Sequence, residues 1–232
     1  MKKFEEDKMW LLRQQITSKI YDDAFYRGNK LVSFFNKSGH KIMEENIFKK
    51  QFFKNVIEVG AGTGFHYPYV NHDFDKYYMT DLSKSYLNFA KKKYFKDKKI
   101  IYKIEDATDL SFPDNTFDRL ISVYNLEHLP NPHIVLKEWK RVIKKNGVLS
   151  IAIPLEGGVA WRLGRYLTTR KTFEKKGLDY NYIIAREHIN ASYNLISLIK
   201  HYFKNRNEIY YPFKIPLIDI NLTYTCNIII EK

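Results

Sequence analysis

The chain has 232 residues, 44% hydrophobic and 28% charged, with a formal net charge of +13. That balance suits a globular protein with a sizeable core, and no apolar run approaches the roughly 20 residues a membrane-spanning helix needs. One cysteine, Cys226, excludes an internal disulfide and a multi-cysteine metal site; with no secretory-type apolar segment near Met1, a cytoplasmic protein is expected.

Residues 1–50 place Leu12, Ile16, Ile20 and Phe25, then Leu31, Phe34 and Phe35, at helical spacing. This predicts two or three helices ahead of the main sheet. Asn55–Val59 reads as a short apolar strand, followed by a glycine-rich loop and a helix starting within Phe65–Val70. Lys76–Thr80 is a second strand, ended by Asp81, and Ser83 suits the N-cap of a helix running to about Phe95. Lys99–Ile104 and Phe117–Tyr124 are the third and fourth strands. Pro132 fits the first turn of a helix that continues to Ile143. Asn146-Gly147 closes that connection and Val148–Ile153 is the fifth strand. Residues 155–188 read as an irregular insertion, followed by a helix from Asn190 to about Phe203. Strands near Glu208–Phe213 and Thr223–Glu231 close the chain and suit antiparallel pairing.

Strands alternating with helices, each strand almost continuously apolar, predict a parallel sheet covered on both faces. With no repeat or low-complexity linker, one domain over 1–232 is expected. Its parts are a helical N-terminal cover (1–50), a ligand-binding core (51–154), an insertion (155–188) and a last helix with two strands (189–232).

In such a sheet, ligands bind beyond the carboxyl ends of the strands. Gly60-Ala61-Gly62-Thr63-Gly64 lies at the first of these ends. A dinucleotide fingerprint would require glycine at position 65, where this chain has Phe65, and the phosphate-loop pattern is absent. The spacing is instead Glu-x-Gly-x-Gly-x-Gly, beginning at Glu58. Asp81 directly follows the second strand and Asp106 the third, within Glu105-Asp106-Ala107. A carboxylate at the first of these positions can accept both ribose hydroxyls of a nucleoside ligand, and one at the second can accept an adenine amine. Each carboxylate also has a plainer reading, Asp81 as a helix-entry group and Asp106 as an ordinary loop-start residue.

This set resembles the class I S-adenosylmethionine-dependent methyltransferases. The similarity extends through Ser111–Asp118, Tyr124–Leu129 and Arg141–Leu149 and spans roughly residues 50–155. It implies a Rossmann-like, doubly wound, mostly parallel α/β sheet of seven strands with an antiparallel last strand. The N-terminal helices and the insertion after strand 5 would cover it. It also implies S-adenosylmethionine as cofactor. Glu58, Gly60, Ala61, Gly62, Gly64, Asp81, Leu82, Asp106, Ala107 and Asn125 would hold it, with Glu58 at the methionine end.

Methyl transfer from a sulfonium needs chiefly alignment, and a neutral oxygen acceptor also needs a proton acceptor. His128, after the fourth strand, and His188, at the end of the insertion, are the candidate bases. His128 alternatively shapes the cofactor loop, and His188 supports a helix start. Arg162 and Arg165, at helical spacing, could recognise an anionic group of the acceptor, and Tyr166, Tyr180 and Tyr182 could line its wall. No metal is expected.

The Asn/Asp-Pro-Pro-Tyr/Phe signature of adenine and amide N-methylation is missing from Tyr124-Asn125-Leu126-Glu127, and Cys226 lies far from the expected site of a pyrimidine nucleophile. The expectation is therefore O-methylation of a small molecule, a sugar or glycan intermediate first and an isoprenoid or lipid next. RNA methylation driven by the basic charge is the alternative, although the scattered lysines read first as compositional bias, next as suited to an anionic substrate or membrane surface, and last as suited to nucleic acid. A non-catalytic S-adenosylmethionine-binding partner subunit is a third reading, against which intact Glu58, Asp81 and Asp106 weigh.

Overall fold

The computed structural model describes residues 7, 9–13, 30–45 and 48–232. A seven-stranded sheet forms its centre. The strands are β1 (Phe52–Val59), β2 (Asp73–Asp81), β3 (Ile100–Ile104), β4 (Phe117–Val123), β5 (Ile143–Pro154), β6 (Arg206–Tyr211) and β7 (Thr223–Ile229), in the order β3-β2-β1-β4-β5-β7-β6. β1 through β5 pair parallel, and β7 runs antiparallel to both β5 and β6. The helices are α1 (Lys30–Glu44), α2 (Lys84–Lys93), α3 (Pro132–Val142), α4 (Val159–Leu167), α5 (Thr169–Glu174), α6 (Tyr180–Glu187) and α7 (Ser192–Tyr202). None of the described helices is long and apolar enough to cross a membrane.

The apolar strands bury both faces of the sheet. One core joins Leu120, Leu149 and Ile151 to Trp139 of α3 and Leu195 and Ile199 of α7. The other joins Val56, Tyr77, Met79 and Ile121 to Met43 of α1 and Leu87 of α2. Ser83 caps α2 by accepting from the Tyr86 amide, and Pro132 opens α3, as their residue types dictate.

Four expectations need correction. Phe65–Val70 does not start a helix: it holds only a single 3-10 turn, Tyr67–Tyr69, with the Pro68 ring inside it and β2 beginning at Asp73. The fifth strand starts at Ile143 rather than Val148. Asn146, in the left-handed conformation, and Gly147 lie inside it, where the register against β4 shifts between Phe117 and Arg119. Residues 155–188 are mostly helical, as α4, α5 and α6. Leu12 and Phe34, assigned to apolar faces, are exposed. Ile16, Ile20 and Phe25 lie outside the described residues, and of the expected N-terminal helices the described ones are residues 9–13 and α1. The insertion and the N-terminus share a small core, with Met9 and Trp10 packed on Phe173, Leu178, Tyr180 and Ile183.

α1 is fixed across the sheet by charge. Arg119, fully buried in β4, donates from Nη1 and Nη2 to the two carboxylate oxygens of Glu44 at 2.9 and 2.6 Å, and its guanidinium lies 4.1 Å over the Phe48 ring. Burial alone would push the Glu44 carboxyl up, but Arg119 and the His66 ring overcome it and hold it well below the ordinary range. Glu44→Ala leaves that guanidinium buried without a counter-charge and should destabilise the protein by about 3–5 kcal/mol in urea unfolding. The Glu44→Met/Arg119→Met double variant should recover much of that loss.

Candidate active site

Parallel pairing brings the carboxyl ends of β1 to β4 to one edge, and the connections diverge between β1 and β4. Crevices at such a switch point bind ligands. The loop after β1 holds Gly60, Gly62 and Gly64 at φ values of +73°, +55° and +73°, which only glycine adopts freely. A Cβ on Gly60 would lie 2.2 Å from Asn125 Cγ, and one on Gly64 would lie 2.8 Å from the Tyr94 ring. A Cβ on Gly62 would meet nothing within 4 Å. Two of the glycines are therefore bare for packing, and the middle one faces open space.

Asp81 braces this loop from the end of β2. Its two oxygens accept from the amides of Gly62 at 2.8 Å and Ser83 at 2.7 Å. Burial pushes its carboxyl up while these two N–H groups draw it down. The helix-entry reading therefore holds, and each oxygen retains a lone pair for a further donor. Leu82, next in the chain, is 72% exposed. At the end of β3, Asp106 is exposed and accepts from the Thr108 amide and hydroxyl at 2.8 and 2.7 Å, which hold its carboxyl down. Ala107 and Ala61 are buried. The Asn125 amide lies over Gly60 and donates to the Val59 carbonyl at 3.4 Å, supporting the loop from the β4 side.

Glu58 is buried beneath the loop and accepts the Tyr77 hydroxyl at 2.7 Å. Burial pushes its carboxyl up to about 6, against the pull of His66 and Tyr77. Beside it is a group that sequence reading overlooked. His66 faces Glu44 through Nε2 at 3.1 Å and His40 through Nδ1, also at 3.1 Å. Phe65, Tyr69 and Tyr124 surround the His40 ring. Only the polar character of three side chains in apolar surroundings pointed to it.

The structure unites the two candidate histidines. His128 Nδ1 lies 2.7 Å from the Glu187 carbonyl. A carbonyl only accepts, so Nδ1 carries the hydrogen and Nε2 keeps its lone pair. Nε2 is 3.8 Å from Glu127 Oε1, and the His128 and His188 rings meet edge-on with centroids 4.5 Å apart. His188 Nδ1 faces the Glu156 carboxylate. Burial, reinforced by the adjacent His128 ring and the Arg165 charge, holds His188 well below the ordinary histidine range. Burial also pushes Glu156 up to about 7, and Glu127 well above the carboxylate range. Glu127 Oε2 has no hydrogen-bond partner among the described residues. Asn190 makes this meeting stable. Its backbone amide donates to the Glu127 carbonyl at 3.1 Å and its side-chain amide to the Leu129 carbonyl at 2.7 Å, stitching the insertion's end to the loop after β4.

Of the two arginines, only Arg165 turns inward. It donates to Thr169 at 3.1 Å, lies 5.0 Å over the Trp161 ring, and its charge reaches Glu156 and His188. Arg162 is exposed. The three tyrosines do not form one wall. Tyr166 is exposed, Tyr180 belongs to the insertion's core, and Tyr182 donates to Asp7.

Residues 57–151 match the family described as "Methyltransferase domain". The chain is 35% identical over 101 residues to 2-methyl-6-phytyl-1,4-hydroquinone methyltransferase 2 of Oryza sativa subsp. japonica, covering 43% of this chain and 29% of that protein. It is 30% identical over 101 residues to phosphatidylethanolamine N-methyltransferase of Cereibacter sphaeroides, covering 41% and 48%. The chain thus spans less than half the length of either relative. In fold it is similar to a SAM-dependent methyltransferase from Aquifex aeolicus, with a TM-score of 0.58 at 18% identity, covering 98% of this chain and all of that one.

Two predictions follow from the geometry. Asp81→Asn should weaken S-adenosylmethionine binding by about 10- to 100-fold in calorimetry, as expected for losing a charged hydrogen-bond acceptor, with a smaller loss for Gly62→Ala, whose added methyl enters the open side of the loop. Glu156 has its folded carboxyl at about 7 against an ordinary 4.5, so its stabilisation is complete below about 4.5 and disappears as pH rises through 7. Glu156→Gln should therefore gain on the parent by up to about 3 kcal/mol between pH 5 and 8, read from paired unfolding curves.

Proposed function

We propose that this chain, whose residues 57–151 form a class I S-adenosylmethionine-dependent methyltransferase domain, methylates a hydroxyl-bearing small molecule of isoprenoid or lipid type. The observation that carries the reading is His128, whose Nδ1 is held by the Glu187 carbonyl so that Nε2 remains as a base beside buried Glu127. When bound, S-adenosylmethionine supplies an electrophilic methyl group on its sulfonium.

The residues of this chain do the rest. Asp81 accepts the ribose hydroxyls, Leu82 lies along the adenine, and Asp106 with Ala107 meets its amine. Gly60, Ala61, Gly62 and Gly64 allow close approach of the backbone, Asn125 holds that backbone in place, and Glu58 supports the methionine end from beneath. His128 Nε2 takes the acceptor's proton, with the Glu127 carboxyl 3.8 Å away. His188 is a positioning residue that fixes the plane of the His128 ring through edge-on contact. Arg165 orients the acceptor, and exposed Arg162 meets any anionic part that extends outward.

Removing a proton from a phenol makes both its oxygen and its ring carbons more nucleophilic, so one base serves either atom of an aromatic acceptor. The names of the two relatives, one for a phytyl hydroquinone and one for a phospholipid, favour a lipidic acceptor over a sugar. The absence of a tyrosine wall among the described residues weighs the same way.

His128→Gln should lower turnover by about 10²- to 10⁴-fold, the usual worth of a general base, while S-adenosylmethionine affinity stays within about twofold. The readout is label from methyl-tritiated donor in extract fractions separated into lipid, glycan and RNA. Label confined to glycan or RNA would refute the lipid acceptor, and unchanged turnover would refute the base.

A further inference from the structure

We propose that the outer face of α4 and the loop between β6 and β7 form a docking surface for an anionic membrane. This rests on the lipid-acceptor reading above for its purpose, and on separate residues for its evidence.

Val159, Leu163, Tyr166 and Leu167 recur at helical spacing on α4, and each is more than half exposed. At 100° per residue they fall within one sector of the helix, about 100° wide. Trp161, Gly164 and Arg165 occupy the opposite side and are partly buried toward the site. α4 buries none of its residues fully. The stripe thus faces outward, and at its edge the Arg170 guanidinium lies 5.5 Å over the Tyr166 ring.

The stripe continues onto a second element. Phe213, Ile215, Leu217 and Ile220 of the β6–β7 loop are all exposed. The start of α4 sits directly on this loop, since a Cβ on Gly158 would lie 2.5 Å from the Ile218 carbonyl oxygen. Helix and loop thus form one apolar patch, which water wets poorly and which a soluble surface seldom carries without a use.

Charge selects the occupant. Exposed Arg162 borders the stripe, Lys171 on the helix that follows and Lys175 at its end are exposed, and the loop carries exposed Lys214 and one exposed acid, Asp219. Between Val159 and Glu187 the sequence has seven Lys/Arg against three Asp/Glu. An apolar patch rimmed by cations matches the boundary between anionic headgroups and acyl chains. The same helix turns Arg165 toward His188, so a membrane held here lies next to the route by which a lipid acceptor reaches His128.

The test is sedimentation of the protein with vesicles of phosphatidylglycerol and phosphatidylcholine, compared with phosphatidylcholine alone. The parent should sediment with the anionic vesicles and release as salt rises toward about 1 M, where charges are screened within roughly 3 Å. Leu163→Glu/Leu167→Glu, at exposed positions, should weaken that binding by about tenfold or more while keeping the parental unfolding temperature. No sedimentation of the parent with anionic vesicles, or equal sedimentation of parent and variant, overturns the proposal. So does a concentration-dependent dimer of the parent that the double substitution abolishes. Labelled-methyl transfer to the detergent-solubilised lipid fraction, run on the same variant, separates the two readings. Transfer retained without vesicle binding by the parent refutes the surface alone, whereas no transfer to lipid refutes the acceptor class whatever the vesicles show.

Discussion

A guanidinium in the middle of a parallel sheet must find a counter-charge, and here Arg119 finds it in Glu44, the last residue of α1. Much of the architecture around the site depends on that demand. With Glu44 fixed, Gly39 of the same helix lies against Tyr124, where an added Cβ would come within 2.0 Å of the tyrosine hydroxyl. Tyr124 is adjacent to Asn125, and Asn125 covers Gly60. The N-terminal cover and the glycine loop are thereby parts of one contact series. A buried ion pair is weak evidence for net stability, but it is well suited to fixing the place of one element on another.

Electrostatics divides the site in two. Around Glu44, His66 and His40, charges are matched and enclosed, and His40 is kept neutral by burial and by the adjacent His66. Around Glu127, Glu156, His128 and His188, two carboxyls are driven upward by burial with little to compensate them. The first cluster fixes a helix. The second sets two upshifted carboxyls beside two histidines, an arrangement that concentrates at reactive centres.

The sheet was largely legible because the central strands carry apolar runs, and β1, β2 and β3 end at or just before Gly60, Asp81 and Glu105. Glu58, Asp81 and Asp106 stood out because local order ties each to a strand end. The errors have distinct causes. At Phe65–Val70 aromatic residues satisfied helical spacing, but Pro68 and a short path into β2 left room for only one turn. At Ile143–Gly147 the Asn-Gly pair signalled a turn, although the strand accommodates it as an irregularity. The insertion seemed irregular because α4 faces solvent with its apolar side, reversing the usual pattern of burial. The meeting of His128 with His188 could not be read at all. It depends on Asn190 reaching three carbonyls from a residue some sixty positions away.

The shortened turn after the glycine loop has one more chemical consequence. In dinucleotide-binding folds a full helix begins there, and its aligned peptide dipoles and unpaired amides attract a pyrophosphate. Tyr67–Tyr69 is too short to build such a dipole. The Gly62 amide, which would otherwise point at a phosphate, is already given to a carboxylate. The crevice therefore offers polyphosphates a negative side chain and no field to offset it. On the reading proposed above, such a crevice suits an adenosine-bearing ligand that carries no phosphate.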